Sequence, residues 1–254
     1  MSGKLAVVGL GPGDARYLTR EALEALGEAD ALYGYGPYLD RVAARAGQAR
    51  YPTDNREEGA RARAALAHAA RGAKVAIVSG GDPGVFAMAA SVCEEIAAGP
   101  PEWRVLDLRI VPGVTAMLAV ASRAGAPLGH DFCALSLSDN LKPWELIERR
   151  LAAAAAAGFV IALYNPVSQA RTWQLTHAFA LLSRHLPATT PVIFGRAIGR
   201  TGEGVVVTTL AEAPAIAADM ATLIIIGSRE TRIVAREGQA PLVYTPRATA
   251  SVPA

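Results

Sequence analysis

Three short apolar runs in the first half of the chain each end abruptly at glycine or proline, and no other feature constrains the fold as tightly. Lys4–Val8 runs into Gly9-Leu10-Gly11-Pro12-Gly13-Asp14, Lys74–Ser79 into Gly80-Gly81-Asp82-Pro83-Gly84, and Leu106–Val111 into Pro112-Gly113-Val114-Thr115. A stretch of helical period follows each loop, so each run reads as a strand handing over to a helix. Repetition of that unit builds an α/β sheet, and open sheets of this kind bind ligands outside the carboxyl ends of their strands. Glycine loops at several of those ends point at one crevice.

The same periodicities continue along most of the 254 residues. A further strand is expected at Ala31–Tyr33, with helices near Thr19–Leu26, Gly36–Ala46, Glu58–Arg71, Val85–Ala97 and Thr115–Ala124. The second half restarts with strands at Cys133–Leu137, Phe159–Tyr164, Pro191–Gly195, Gly204–Val207 and Leu223–Ile226. Its helices are expected at Pro143–Ala157, Ala170–His185 and Leu210–Ala218. The segment Gly125–Asp131, carrying Pro127 and Gly129, interrupts the pattern, and the periodicity fades after Ile233. We expect two α/β domains, residues 1–127 and 128–244, and a flexible tail over 245–254.

Composition narrows the function classes. Lys and Arg total 25 against 23 Asp and Glu, a formal charge of +2, which argues against a dedicated nucleic-acid binder. Only Lys4, Lys74 and Lys142 are lysines; base composition or a need for forked donors would each produce that bias. Cys93 and Cys133 lie apart in apolar stretches without metal or redox spacing, so no metal site is expected and a reducing compartment is. The chain enters an apolar run at Leu5 without leader features, and its longest uncharged apolar stretch, Leu151–Tyr164, is too short to span a bilayer. A cytoplasmic protein without membrane contact is expected.

The first loop is not a dinucleotide fingerprint, because Asp14 stands where the third glycine would fall. Nor does a lysine follow either loop, as a phosphate-binding loop requires. Taken in order, Gly9–Asp14, Gly80–Pro83 and Pro112–Ala116 resemble the GxGPGD, GGDP and PGxTA motifs of the tetrapyrrole methyltransferases. These are the S-adenosylmethionine-dependent methyltransferases of uroporphyrinogen III and the precorrins, and the resemblance covers about residues 4 to 235. Gly129–Asp139 with Pro143-Trp144, Leu163–Pro166 with Ser168 and Arg171, and Gly34-Tyr35 with Tyr38-Leu39 resemble the branch that methylates carbon 17. The branch acting on uroporphyrinogen III carries Tyr-Met-Gly in place of Tyr164-Asn165-Pro166.

The resemblance implies two α/β domains of the tetrapyrrole methyltransferase type with the active site in the cleft between them, usually in a homodimer. It implies methyl transfer from S-adenosylmethionine to carbon 17 of precorrin-3B, coupled to ring contraction to precorrin-4, in cobalamin biosynthesis. Implied cofactor contacts are Pro12, Gly80, Gly81, Asp82, Val85, Phe86, Thr115, Ala116, Asn165 and Thr222. Asp82 and Thr115 also suit helix caps, and both roles stay open. Ring contraction requires loss of a hydroxyl proton, for which His130 beside Asp131 is the first candidate base and Asp14 and Asp139 are rivals. His68, His177 and His185 read as surface residues.

A polycarboxylate substrate suits forked donors, which directs attention to Arg171, Arg196 and Arg200, with Lys142. Arg61, Arg63, Arg149 and Arg150 read as a solvated helix face. Three alternatives compete: a cobalt-containing substrate or another ring position, a tetrapyrrole carrier without catalysis, and a nucleotide-binding enzyme that uses the loops for phosphate.

Overall fold

The computed structural model describes residues 3–54 and 56–248. They divide into two compact units between Thr115 and Ala116. The first contains β1 (Lys4–Gly9), α1 (Arg20–Glu28), β2 (Ala31–Tyr35), α2 (Gly36–Leu39), β3 (Ala49–Thr53), α3 (Glu58–Ala70), β4 (Lys74–Ser79), α4 (Met88–Ala98) and β5 (Asp107–Val111). All five strands are parallel, in the order β3-β2-β4-β1-β5. Alternation sends Leu5, Val7, Val75 and Ile77 under α3 and α4, and Val8, Ala76 and Val78 under α1. Burial on both faces is why these strands read as continuous aliphatic runs. The chain leaves β1 toward β2 but leaves β4 toward β5, so the adjacent strands β1 and β4 form a topological switch point.

Two local readings change in this unit. Strand β3 was unexpected because it contains Pro52, which lacks an N–H; the sheet edge is where a strand tolerates proline. The helix expected over Gly36–Ala46 stops at Leu39. Its end is secured from β3, where Arg50 donates to the carbonyls of Leu39, Val42 and Ala43.

The second unit contains α5 (Ala116–Ala124), β6 (Gly125–Ala126), β7 (Phe132–Ser136), α6 (Trp144–Ala156), β8 (Val160–Tyr164) and α7 (Gln174–Leu182). There follow β9 (Pro191–Arg196), β10 (Gly204–Thr209), β11 (Thr222–Ile226), β12 (Arg232–Arg236) and β13 (Gln239–Tyr244). A mixed sheet runs β10-β9-β11-β8-β7, with only β7 and β8 parallel neighbours, and a smaller sheet runs β12-β13-β6. Ile147 and Leu151 of α6 and Leu175, Phe179 and Leu182 of α7 cover one face. On the other lies α5, whose Val120 occupies the space a side chain at Gly195 would need.

That packing explains why the division falls before α5 rather than at residues 127/128: the helix rests on β9, β10 and β11. The chain beyond Ile233 forms the β12–β13 hairpin instead of fading into a tail. Thr245 is buried, its hydroxyl donating to Pro127 O at 2.6 Å, so the tail expected from residue 245 does not begin there. Residues 249–254 of that tail lie outside the described residues. The helix expected at Leu210–Ala218 is one 3-10 turn around Pro214. That at Ala170–His185 starts only at Gln174, because Ser168 and Arg171 exchange backbone hydrogen bonds of 3.0 and 3.1 Å in a tight turn.

Candidate active site

The three glycine loops meet at the carboxyl ends of β4, β1 and β5, consecutive strands of the first sheet. Gly11 N donates to Gly81 O at 3.1 Å and Gly81 N to Gly11 O at 2.9 Å. Both residues have positive φ, 66° and 67°, where glycine carries no steric penalty. A Cβ on Gly9 would stand 2.7 Å from Gly113 N and 2.8 Å from Gly81 O. On Gly80 it would stand 2.6 Å from the Tyr38 ring. These glycines therefore serve first to let loop approach loop, and the assembled loops present backbone at the switch point.

Two side chains lock that surface. Asp82 Oδ1 accepts from Gly84 N at 2.8 Å and Oδ2 from Gly113 N at 3.0 Å, tying the second loop to the third. It caps no helix, since α4 begins only at Met88. Arg41 Nη2 donates to the carbonyls of Leu10, Gly11 and Gly13 at 2.8, 2.9 and 2.8 Å, clamping the first loop. Sequence reasoning missed Arg41, which follows a short helix and carries no motif. Pro12 is buried, and Val85 is half-buried. Phe86 is half exposed at φ 52°, a strained conformation for a bulky residue. Thr115 is buried at the end of the unit. Asp14 caps a 3-10 turn by accepting from Arg16 N at 2.9 Å, and it is exposed.

In the second unit, one end of the mixed sheet collects the carboxyl ends of β7, β8 and β9 and the start of β11. Asn165 stands there at φ 51°, its Nδ2 donating to Ser136 Oγ at 3.0 Å and its carbonyl accepting from Arg171 Nη1 at 2.8 Å. Thr222 donates to Asp219 Oδ1 at 2.8 Å, and Arg196 Nε to Asp219 Oδ2 at 2.8 Å. Burial raises the Asp219 carboxyl, but hydrogen bonds from Thr222, Arg196 and Ala221 N outweigh it and hold the group below the usual aspartate value. Ala116 is the first residue of α5, and Met117 N donates to Tyr164 OH at 3.1 Å.

Asp139 lies just beyond β7, accepting at Oδ2 from Gln174 Nε2 at 3.0 Å; its Oδ1 accepts no hydrogen bond among the described residues. Gln174 is buried, a partner the sequence signalled only as one more position on a helix. Burial lowers the Lys142 ammonium, as does Arg150, while Asp139 opposes both. Burial likewise lowers Arg171, again opposed by Asp139. The Asp139 charge thus opposes the effect of burial on both cations.

The structure sorts the other candidates. Arg171 and Arg196 are occupied, by Asn165 O and Asp219 respectively; Lys142 lies just beyond β7 near Asp139, and Arg200 is exposed. His130 lies before β7, where its Nδ1 accepts from Asp131 N at 2.7 Å. The strand puts about 17 Å between Asp131 and Ser136, so His130 is not brought to the Asn165 end. His68 is no surface residue: its Nδ1 lies 3.1 Å from Tyr33 OH, and its ring meets Tyr33 and Tyr51 edge-on. Arg61, expected on a solvated face, is buried. Cys93, expected among apolar neighbours, is exposed, while burial raises the thiol of Cys133. Among the described residues no helix is long and apolar enough to cross a membrane, and no His, Cys, Asp and Glu cluster could hold a metal ion.

The family model of the tetrapyrrole (corrin/porphyrin) methylases matches residues 4–214. The chain belongs to the tetrapyrrole methylase family. It is 65% identical over 247 residues to a precorrin-3B C(17)-methyltransferase from Sinorhizobium sp., covering 97% of each chain. It is 41% identical over 244 residues to a probable cobalt-factor III C(17)-methyltransferase from Salmonella typhimurium, covering 96% of this chain and 98% of that one. It spans about half the length of some longer curated relatives that it also matches. The crystal structure of a methyltransferase named CobJ superposes with a TM-score of 0.91 at 46% identity, covering 96% of this chain and all of that one. Within the matched residues, Arg41 clamps the Gly9 loop and Asp82 ties the Gly80 loop to the Pro112 loop.

Proposed function

We propose that this methylase transfers a methyl group from S-adenosylmethionine to carbon 17 of precorrin-3B, with contraction of the macrocycle to precorrin-4 in cobalamin biosynthesis. The observation that carries the reading is the full-length 65% identity to a precorrin-3B C(17)-methyltransferase. The first unit's loops fit such a cofactor, which bears no phosphate: they present neutral backbone, and Arg41 is spent on their carbonyls. S-adenosylmethionine supplies the methyl group as an electrophile on sulfur and leaves as S-adenosylhomocysteine.

Pro12, Gly80, Gly81, Val85, Phe86 and Thr115 form the cofactor surface in the first unit, with Asp82 positioning the loops rather than reaching out. Ala116, Asn165 and Thr222 are the second unit's contribution. Asp139, oriented by Gln174 and retaining an unengaged oxygen, takes the hydroxyl proton as the ring contracts. It replaces His130 in that role, and Asp14 is left as a cap. Lys142 and Arg200 meet substrate carboxylates.

We further propose a homodimer, as the family resemblance implies, working in the cytoplasm, where exposed Cys93 stays reduced. The test is turnover. Metal-free precorrin-3B and S-adenosylmethionine should give S-adenosylhomocysteine and a ring heavier by one methyl group. Turnover of cobalt-factor III and not of precorrin-3B would move the enzyme to the substrate named for the Salmonella typhimurium relative. Pigment binding without release of S-adenosylhomocysteine would make it a carrier.

A further inference from the structure

At the end of the second sheet opposite Asn165, where β9 begins and β11 ends, lies a cavity of about 280 Å³. Pro187, Thr190, Ser228, Arg229, Thr231 and Arg232 line it. β9 alone puts about 17 Å between Pro191 at this end and Arg196 at the other, so none of these residues belongs to the site described above.

Three observations point to an anion. Thr190 is 3% exposed, and its hydroxyl has no hydrogen-bond partner among the described residues. Buried polar groups are almost always paired, so this one asks for a ligand. Both arginines are fixed through one nitrogen to backbone: Arg229 Nη2 donates to His185 O at 2.8 Å, and Arg232 Nη1 to Arg229 O at 2.8 Å. Neither is paired with a carboxylate among the described residues. Glu230, between them in sequence, instead accepts from Ser228 Oγ at 2.9 Å and does not line the cavity.

The walls are also rigid. Ser228 N donates to Thr231 Oγ1 at 2.8 Å, which lies 2.8 Å from Thr245 Oγ1, which in turn donates to Pro127 O at 2.6 Å. We propose that this cavity is a second binding site, for a small oxyanion: a phosphate or carboxylate group taken by the two guanidinium forks and the Thr190 hydroxyl. Arginine forks suit both groups, and the cavity holds a molecule of only modest size.

Calorimetry on the full chain tests this, with inorganic phosphate in one arm and succinate in the other, at ionic strength held constant with chloride. Saturable binding of at least one is expected, with phosphate alone or succinate alone identifying the group. The Arg229→Gln/Arg232→Gln variant should bind about ten- to a hundredfold more weakly, the usual worth of hydrogen bonds to a charged group. Thr190→Val should weaken binding several-fold, and Thr190→Ser should restore it. S-adenosylhomocysteine affinity should be the same in all variants. No saturable binding in either arm, or binding that the double arginine variant leaves unchanged, overturns the proposal. The binding is read without cofactor, so the result is independent of the methyl-transfer reading.

Discussion

Asp82 shows how one side chain can decide what a loop is for. Its two oxygens hold backbone N–H groups of two different loops, so losing the carboxylate releases both at once. Hydrogen bonds to a charged acceptor are worth about 1.5–3 kcal/mol each. Asp82→Ala should therefore weaken S-adenosylhomocysteine binding about tenfold or more by calorimetry; wild-type affinity in that variant would mean the loops are not the cofactor platform. Asp139→Asn should lower kcat by about 10²–10⁴, the usual worth of a general base, with cofactor affinity retained. Asp219 gives a pH dependence. Its carboxyl is held below the ordinary aspartate value, so its stabilisation is complete above that value and is lost as pH falls through the lowered one. Thermal melts of wild type and Asp219→Asn should differ at neutral pH and converge well below the ordinary aspartate range.

At the scale of elements, Arg61 joins α3, β3 and α4. Its Nε donates to Thr53 Oγ1 and its Nη2 to Asp54 O, both at 2.6 Å, while Nη1 lies 3.2 Å from Met88 Sδ. Burial lowers the guanidinium, and Glu58 and Glu57 oppose the shift. A single ammonium cannot reach three directions, so Arg61→Lys should not rescue Arg61→Ala. Both variants should lose about 2–4 kcal/mol in urea unfolding, and full stability of the lysine variant would show that charge alone suffices. The sequence placed Arg61 on a helix but on its solvated face, the wrong one, because the helix is Ala-rich on several sides and its buried face is not marked. β1 and β4, which carry the first two loops, were legible for the opposite reason: both their faces are buried, so nearly every position is apolar. Edge strand β3, with its proline and exposed residues, sends no such signal.

For the whole molecule, the chain's last described strand closes a long-range sheet. β13 pairs in parallel with β6, 118 residues separate the Thr245–Pro127 bond, and Val243 is fully buried. Ending the chain at Glu237 should cost at least about 3 kcal/mol, from one buried aliphatic side chain and the lost ladder, and should lower the melting temperature. An unchanged melt would mean the hairpin is dispensable. By itself the sequence determined the α/β class, the strands that end in glycine, and the three motifs that mark a tetrapyrrole methylase, because each depends on local spacing and backbone freedom. Only the tertiary structure decided what those glycines touch, which acid Gln174 orients, that Arg171 and Arg196 are already occupied, and that α5 packs with the second sheet. Those outcomes depend on which distant groups meet at 3 Å, a matter of strand order and packing that no window of sequence contains.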